Sequence, residues 1–250
     1  MSRLAGSRKA RLRQEALCEV VFRPLAHVVV LVLAPLRVPP PVVVLVSAAC
    51  GVAGAVELAR GHLFAAVLLV QLKTVLDNAD GQLARLTNRV TVFGRYLDSE
   101  CDLLVNAALF AGLGWYTGRP LAAALGFVAL TAVLSVNFNL ERLARGAQTS
   151  SDSSVLGRVY AAMYGWQDSL VERFVHWRSA GARAYHDTFT VAALAQLGMS
   201  TQLALFGVCV ALDRPLAAAM LPVAQLAFVA LLFVRRETLT QNREVSLEHH

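Results

Sequence analysis

Charge is what this sequence is short of. Only 16% of its 250 residues are charged, while 56% are hydrophobic, and soluble domains run nearer about 25% charged. With a mean hydropathy of +0.54, the chain must carry several long uncharged stretches, which excludes an ordinary water-soluble enzyme. It also lacks cysteine pairs at metal-ligand spacing. Cys18, Cys50, Cys101 and Cys209 are scattered through apolar surroundings and read as inert buried thiols. No phosphate-cradling glycine loop, Ser-His-Asp arrangement or internal repeat is present. No cleavable signal opens the chain, because its basic start runs into an Arg-containing amphipathic stretch before any apolar run. The net charge of +6 is spread along the chain rather than gathered into a stripe, so no nucleic-acid partner is expected.

What is there is apolar helix. A bilayer core about 30 Å thick needs roughly 20 apolar helical residues to cross it. Six stretches qualify as spans: Pro41–Leu58, His62–Leu76, Leu103–Tyr116 with a charged lead-in from Val92, Pro120–Leu140, Phe189–Leu212 and Pro215–Val234. Leu25–Leu36 is short and bracketed by prolines, so with the preceding Arg-rich helix it reads as an amphipathic element lying at the interface. The expected fold is therefore all-α: a polytopic membrane protein with six transmembrane helices and an N-terminal interfacial helix. Residues 1–40 form a cytoplasmic arm and 41–240 the catalytic domain. The ending Leu247–His250 looks like the remnant of a purification tag.

Basic residues set the orientation. With six spans, all but Arg60, Arg119 and Arg214 of the 23 Lys and Arg fall on one side. Both termini are thus expected in the cytoplasm, in the cell (inner) membrane. On that side lies the long connection 141–187. Within it, Ser169 and Glu172 form a capping-box pattern. Tyr160, Met163, Trp166, Leu170, Phe174 and Trp177 recur at helical spacing, as in a helix resting on headgroups; a gate over the site is the sharper alternative.

The informative stretch is DNADGQLARLTNRVTVFGRYLDSECD, from Asp77 to Asp102. Asp77 and Asp80 share a helix face at the cytoplasmic end of the second span, and Asp98 with Asp102 does so at the start of the third. Consecutive spans are expected to be antiparallel neighbours, bringing the two pairs together at the cytoplasmic mouth. Four converging carboxylates repel and are costly to desolvate, and divalent cations relieve that conflict. All-oxygen ligation suits Mg²⁺ or Mn²⁺ rather than zinc or copper. Gly81, Ala84 and Gly94 leave room for a ligand to approach helix backbone, and Arg85 can meet a phosphate.

Asp77, Asp80, Gly81, Ala84, Arg85, Gly94, Asp98 and Asp102 stand at the spacing Asp-x-x-Asp-Gly-x-x-Ala-Arg, eight residues, Gly-x-x-x-Asp-x-x-x-Asp. In this the sequence resembles the CDP-alcohol phosphotransferases, with no motif position lost. The resemblance implies that Asp77, Asp80 and Asp98 ligate metal, with Asp102 completing a two-metal site and serving as general base toward the acceptor. It implies that Gly81, Ala84, Arg85 and Gly94 receive the CDP moiety. It also implies a CDP-linked donor such as CDP-diacylglycerol, a small alcohol acceptor, release of CMP, and a homodimer. The small residues Ala107, Ala108, Ala111, Gly112, Ala122, Ala123, Ala124 and Gly126 permit close helix approach, between protomers or within one.

The stretch from Leu97 to Tyr116 resembles the prokaryotic phosphatidylinositol-phosphate synthase branch in its Leu97–Asp102 and Phe110–Leu113 portions. That branch usually has Arg after the final Asp, where this chain has Leu103, and the basic cluster late in the fourth span is replaced by Asn137–Arg142. Inositol phosphate, glycerol phosphate and an unphosphorylated alcohol all stay open as acceptors, with Arg95, Arg142 and Arg145 available to meet a phosphate. The alternative from another class is a divalent-metal carrier using the aspartates as its path. Against it, no matching acids lie in Gly112–Pro120 or Asp213–Pro222 at the other side beyond Asp213 itself.

Overall fold

The computed structural model describes residues 15–144 and 188–248, with side chains described to Asn139 and from Phe189 to Arg235. Expectations for the N-terminal arm before Glu15, for the connection 145–187 with its Ser169 cap and aromatic helix, and for the last two tag residues lie outside the described residues.

Every regular element among the described residues is helical. A π-helical turn, Cys18–Phe22, leads into α1 (Arg23–Leu33), followed by α2 (Pro40–Ala59), α3 (Leu63–Leu86), α4 (Val92–Thr117) and α5 (Pro120–Ala144). After the undescribed connection come α6 (Thr188–Ala195), α7 (Met199–Ala211) and α8 (Pro215–Glu248). Proline opens α2, α5 and α8 at a first-turn position, where its missing N–H costs nothing and its φ is already helical. Of these helices, α2, α5 and α8 are long and apolar enough to cross a membrane, and a fourth span arises if the bent pair α6–α7 counts as one.

Two departures from the sequence reading have physical causes. The fifth stretch is not one straight helix: α6 and α7 meet at 55°. Gly198 sits at the N-cap of α7, where an added Cβ would run into the Glu15 carboxylate. Glu15 Oε1 in turn accepts from Thr201 N at 2.5 Å and from Thr201 Oγ1 at 2.6 Å. A carboxylate from the far N-terminal segment thus caps α7 and satisfies donors that a continuous helix would have used.

The second departure concerns neighbours. Backbones of α3 and α4 hardly approach each other; each packs chiefly on α2, which lies between them. Gly54 brings α2 close to Ala66 and Val70 of α3, and Gly112 of α4 lies against the Ala55 carbonyl of α2. The central core continues through Leu109, Phe110, Leu113, Leu203, Phe206 and Val210. On its other flank α4 meets α5, which pairs with α8 where Gly126 faces the Ala219 carbonyl. Gly112 and Gly126, read above as sites of close approach, are therefore used within one protomer. Helix α1 packs Ala26 and Val30 against Ala79 and Leu83 of α3. Its outward residues Leu25, Val28, Leu31 and Val32 are exposed, an apolar face of the kind a lipid surface covers.

Candidate active site

Helix α3 does not stop where its apolar run ends. It continues through the polar motif to Leu86, so Lys73, Asp77, Asp80, Gly81, Ala84 and Arg85 all belong to one helix. Its end is specified locally. Asn88 takes a left-handed conformation at φ 55, Arg89 N donates to Ala84 O at 2.8 Å and Asn88 N to Arg85 O at 3.3 Å. That is a Schellman ending with Asn in the place glycine often holds. Thr91 then caps α4, its Oγ1 accepting from Gly94 N at 3.0 Å. The short turn between these two signals puts Asp98 and Asp102 in the first turns of α4, level with the last turns of α3.

Three of the four predicted aspartates converge. Asp77, Asp98 and Asp102 each offer a carboxylate oxygen within 4.8 Å of the others. Asp80 stands beside that group, 6% exposed, and its Oδ2 is buried with no hydrogen-bond partner among the described residues. A buried carboxylate oxygen is costly to leave without a partner, and a cation is what an all-oxygen set of this kind accepts. The residues present fit a divalent ion of the Mg²⁺ or Mn²⁺ class.

The groups expected to receive a nucleotide are placed differently. Arg85 folds back over Gly81: a Cβ on that glycine would lie 3.3 Å from Arg85 Nη1 and 3.4 Å from Nη2. Gly81 thus lets the guanidinium lie along the helix beside the residue that follows Asp80. Ala84 is half-buried on the same helix, and Gly94 is at the N-terminal turn of α4, next to Thr91. The exposed Arg95 follows it.

The opposite face of α3 is tied to the rest of the fold. Asn78 donates to Thr74 O at 2.8 Å and to Ser200 Oγ at 3.1 Å, and its Oδ1 receives the Cys18 thiol at 3.1 Å. Gln82 donates to Arg23 O at 3.1 Å. These bonds fix the rotation of α3, and with it the direction in which Asp77 and Asp80 project.

One residue of the cluster is missing from the sequence reading. Lys73, taken there as a topology charge, is 2% exposed. Its Nζ donates to Asp77 Oδ1 at 2.8 Å and also to Asp102 Oδ1. The signal was available: four residues before Asp77, Lys73 lies one turn away on the same helix face.

On the opposite side Asp213 is exposed in the turn before α8, and Glu57, at the end of α2, is held by Arg60 Nη1 at 3.0 Å and by His62 Nδ1 at 2.6 Å. It is a self-contained surface group and offers no continuation of an ion path.

The family model described as CDP-alcohol phosphatidyltransferase matches residues 36–231. A bifunctional IPC transferase and DIPP synthase of Rubrobacter xylanophilus is 37% identical over 103 residues, 41% of this chain and 24% of that protein. A phosphatidylinositol phosphate synthase of Corynebacterium glutamicum is 34% identical over 119 residues, 47% of this chain and 52% of that protein. One of the same name from Mycobacterium tuberculosis is 37% identical over 91 residues, 34% of this chain and 42% of that protein. The chain thus spans about half or less of the length of these relatives. No solved structure was found to match it.

Proposed function

Because this chain belongs to the CDP-alcohol phosphatidyltransferase family, we propose that it transfers a phosphatidyl group from a CDP-linked donor such as CDP-diacylglycerol to an acceptor alcohol, releasing CMP. The observation that carries this is the meeting of Asp77, Asp98 and Asp102 beside an Arg85 guanidinium laid over Gly81.

Asp77, Asp80, Asp98 and Asp102 would hold Mg²⁺ or Mn²⁺. Bound there, a divalent ion supplies neutralisation of the donor diphosphate and of the departing CMP. Arg85 binds the same phosphates, and Gly81, Ala84 and Gly94 give the nucleotide room beside the helix backbones. The acceptor oxygen attacks the phosphorus that carries the lipid alcohol. The bond from that phosphorus to the bridging oxygen breaks, and CMP leaves with the electron pair. Asp102 takes the hydroxyl proton as the new bond forms. Its Oδ1 is already engaged by Lys73, so the second oxygen is the one that faces this task.

For the acceptor, the names of the relatives favour an inositol phosphate. Its dianion needs cations beyond the metal, and Arg95, exposed at the mouth, is in reach of that role. We further propose six spans, with α3 and α4 crossing alongside the more apolar helices and their charged ends forming the cytoplasmic mouth. Both termini then lie in the cytoplasm and α1 lies at the interface. A cysteine placed at Gly118 should react with an impermeant reagent only from outside; labelling from the cytoplasm would reject this topology. A homodimer would use the faces on which Ala111 and Ala124 are exposed, since Gly112 and Gly126 are occupied within the protomer.

The test is CMP release from CDP-diacylglycerol by the purified protein in lipid, with Mg²⁺ or Mn²⁺ and a panel of alcohols. Release is expected with one acceptor of the panel, inositol phosphate first. No release with any acceptor would reject the proposed transfer.

A further inference from the structure

We propose that Lys73 is a resident cation of the site, holding one of the two cation positions that the aspartates would otherwise offer, so that each protomer takes up one divalent ion rather than two. This rests on reading the aspartates as metal ligands.

Lys73 is placed as a fixed part of the site. Its ammonium contacts two carboxylates on two different helices, Asp77 of α3 and Asp102 of α4. These helices hardly approach each other by backbone, so the ammonium bridges the gap between them. The side chain reaches that point through a slot made for it. A Cβ on Gly51 of α2 would come within 3.3 Å of Lys73 Cγ and would collide with Val105. Ser47 Oγ, also on α2, donates to the Lys73 carbonyl at 3.1 Å, fixing the backbone from which the side chain rises. The Lys73 side chain is 2% exposed. Displacing it would strand a buried charge without partners, which is strongly unfavourable.

The consequence is a matter of charge and of oxygen atoms. Four ionised carboxylates, as a metal site uses them, would carry four negative charges, and one of these is balanced by the ammonium bonded to both Asp77 and Asp102. A second divalent ion on those two residues would sit beside the ammonium already bonded to both. The Asp80 Oδ2, buried with no hydrogen-bond partner among the described residues, together with Asp98 and the remaining oxygen of Asp77, is enough for one ion, and the remaining oxygen of Asp102 is left for the acceptor proton. Lys73 also ties Asp77 and Asp102 in place before any ion arrives, which makes it a positioning residue for both.

The experiment counts ions. Intact protein in lipid nanodiscs is titrated with Mn²⁺ in the presence of CDP, and unbound Mn²⁺ is followed by electron paramagnetic resonance. Wild type and Lys73→Arg should bind one Mn²⁺ per chain, and Lys73→Gln should bind two. Two ions in wild type, or one in a folded Lys73→Gln, would overturn the proposal. If Lys73→Gln does not fold without metal, Mn²⁺ should restore its thermal transition as an ion replaces the ammonium; no restoration would count against the idea. Wild type binding no Mn²⁺ at all would overturn the reading of the aspartates as ligands and this inference with it. Asp77→Asn, expected to bind none, shows that the counted ion is the one at this site.

Discussion

The helices α2, α3 and α4 behave differently at their two ends. At one end Gly54 and Gly112 let the backbones of α3 and α4 press against α2, with Leu58, Leu109 and Leu113 wholly buried around them. At the other, α3 and α4 hold apart around Asp77, Asp98 and Asp102, and the Lys73 ammonium bridges them. In a bilayer, where lipid is as apolar as leucine, close packing of small residues is what holds helices together. The tight end therefore provides the stability that lets the charged end stay open. A substitution should reveal which end it belongs to by what it costs: turnover at one, folding at the other.

The largest effect is expected from the charged end. Asp77→Asn should lose both turnover and donor binding. Asp102→Asn should keep much of the donor affinity while losing turnover by about 10²–10⁴-fold, because a general base acts on the acceptor in the transition state. Calorimetric titration of a CDP-lipid into both variants, with Mg²⁺ present, separates these roles. Equal loss of binding in the two would reject the base assignment for Asp102.

Arg85→Ala should come next, with a loss of about 10–100-fold in kcat/KM, the scale of a hydrogen bond to a charged group. Both a raised KM for the CDP donor and a lowered kcat are expected, since the guanidinium meets phosphate before and during charge development. An unchanged donor KM in steady-state kinetics would remove Arg85 from the nucleotide site.

The tight end should respond in the opposite sense. Gly112→Val drives a side chain into the Ala55 carbonyl and should destabilise the protein by about 1–3 kcal/mol. Turnover per folded molecule should stay near wild type. A thermal transition at the wild-type temperature with a fall in turnover would break the division between the two ends.

Much of the charged end is legible in the sequence because its logic is local. Spacings of three and four put aspartates on shared helix faces whatever the rest of the chain does. The helix bounds are less so. Apolarity alone ends the second span at Leu76, but the backbone stays helical to Leu86 because Asp, Asn and Gln there are held by neighbours rather than by lipid. The break before Met199 depends on Glu15, 186 residues from Thr201 in the chain, and no local pattern announces it. The separation of α3 from α4 was hidden for a similar reason: glycines decide which helix each packs on, and the sequence does not say what faces a glycine. Lys73 passed as a topology charge since its partner Asp102 is 29 residues away.

The central claim is that the open, charged end performs transfer, and Asp98→Asn addresses it most directly. Asp98 belongs to the three-carboxylate group yet is not one of the residues that Lys73 ties. The amide keeps its volume and removes its charge. In one reconstituted preparation with CDP-diacylglycerol, Mn²⁺ and the preferred acceptor, wild type should release CMP and make the new lipid. Asp98→Asn, with a wild-type thermal transition, should release CMP at least about 10³-fold more slowly, the upper range for losing one preorganised electrostatic group. Near-normal CMP release by a folded Asp98→Asn would contradict the account.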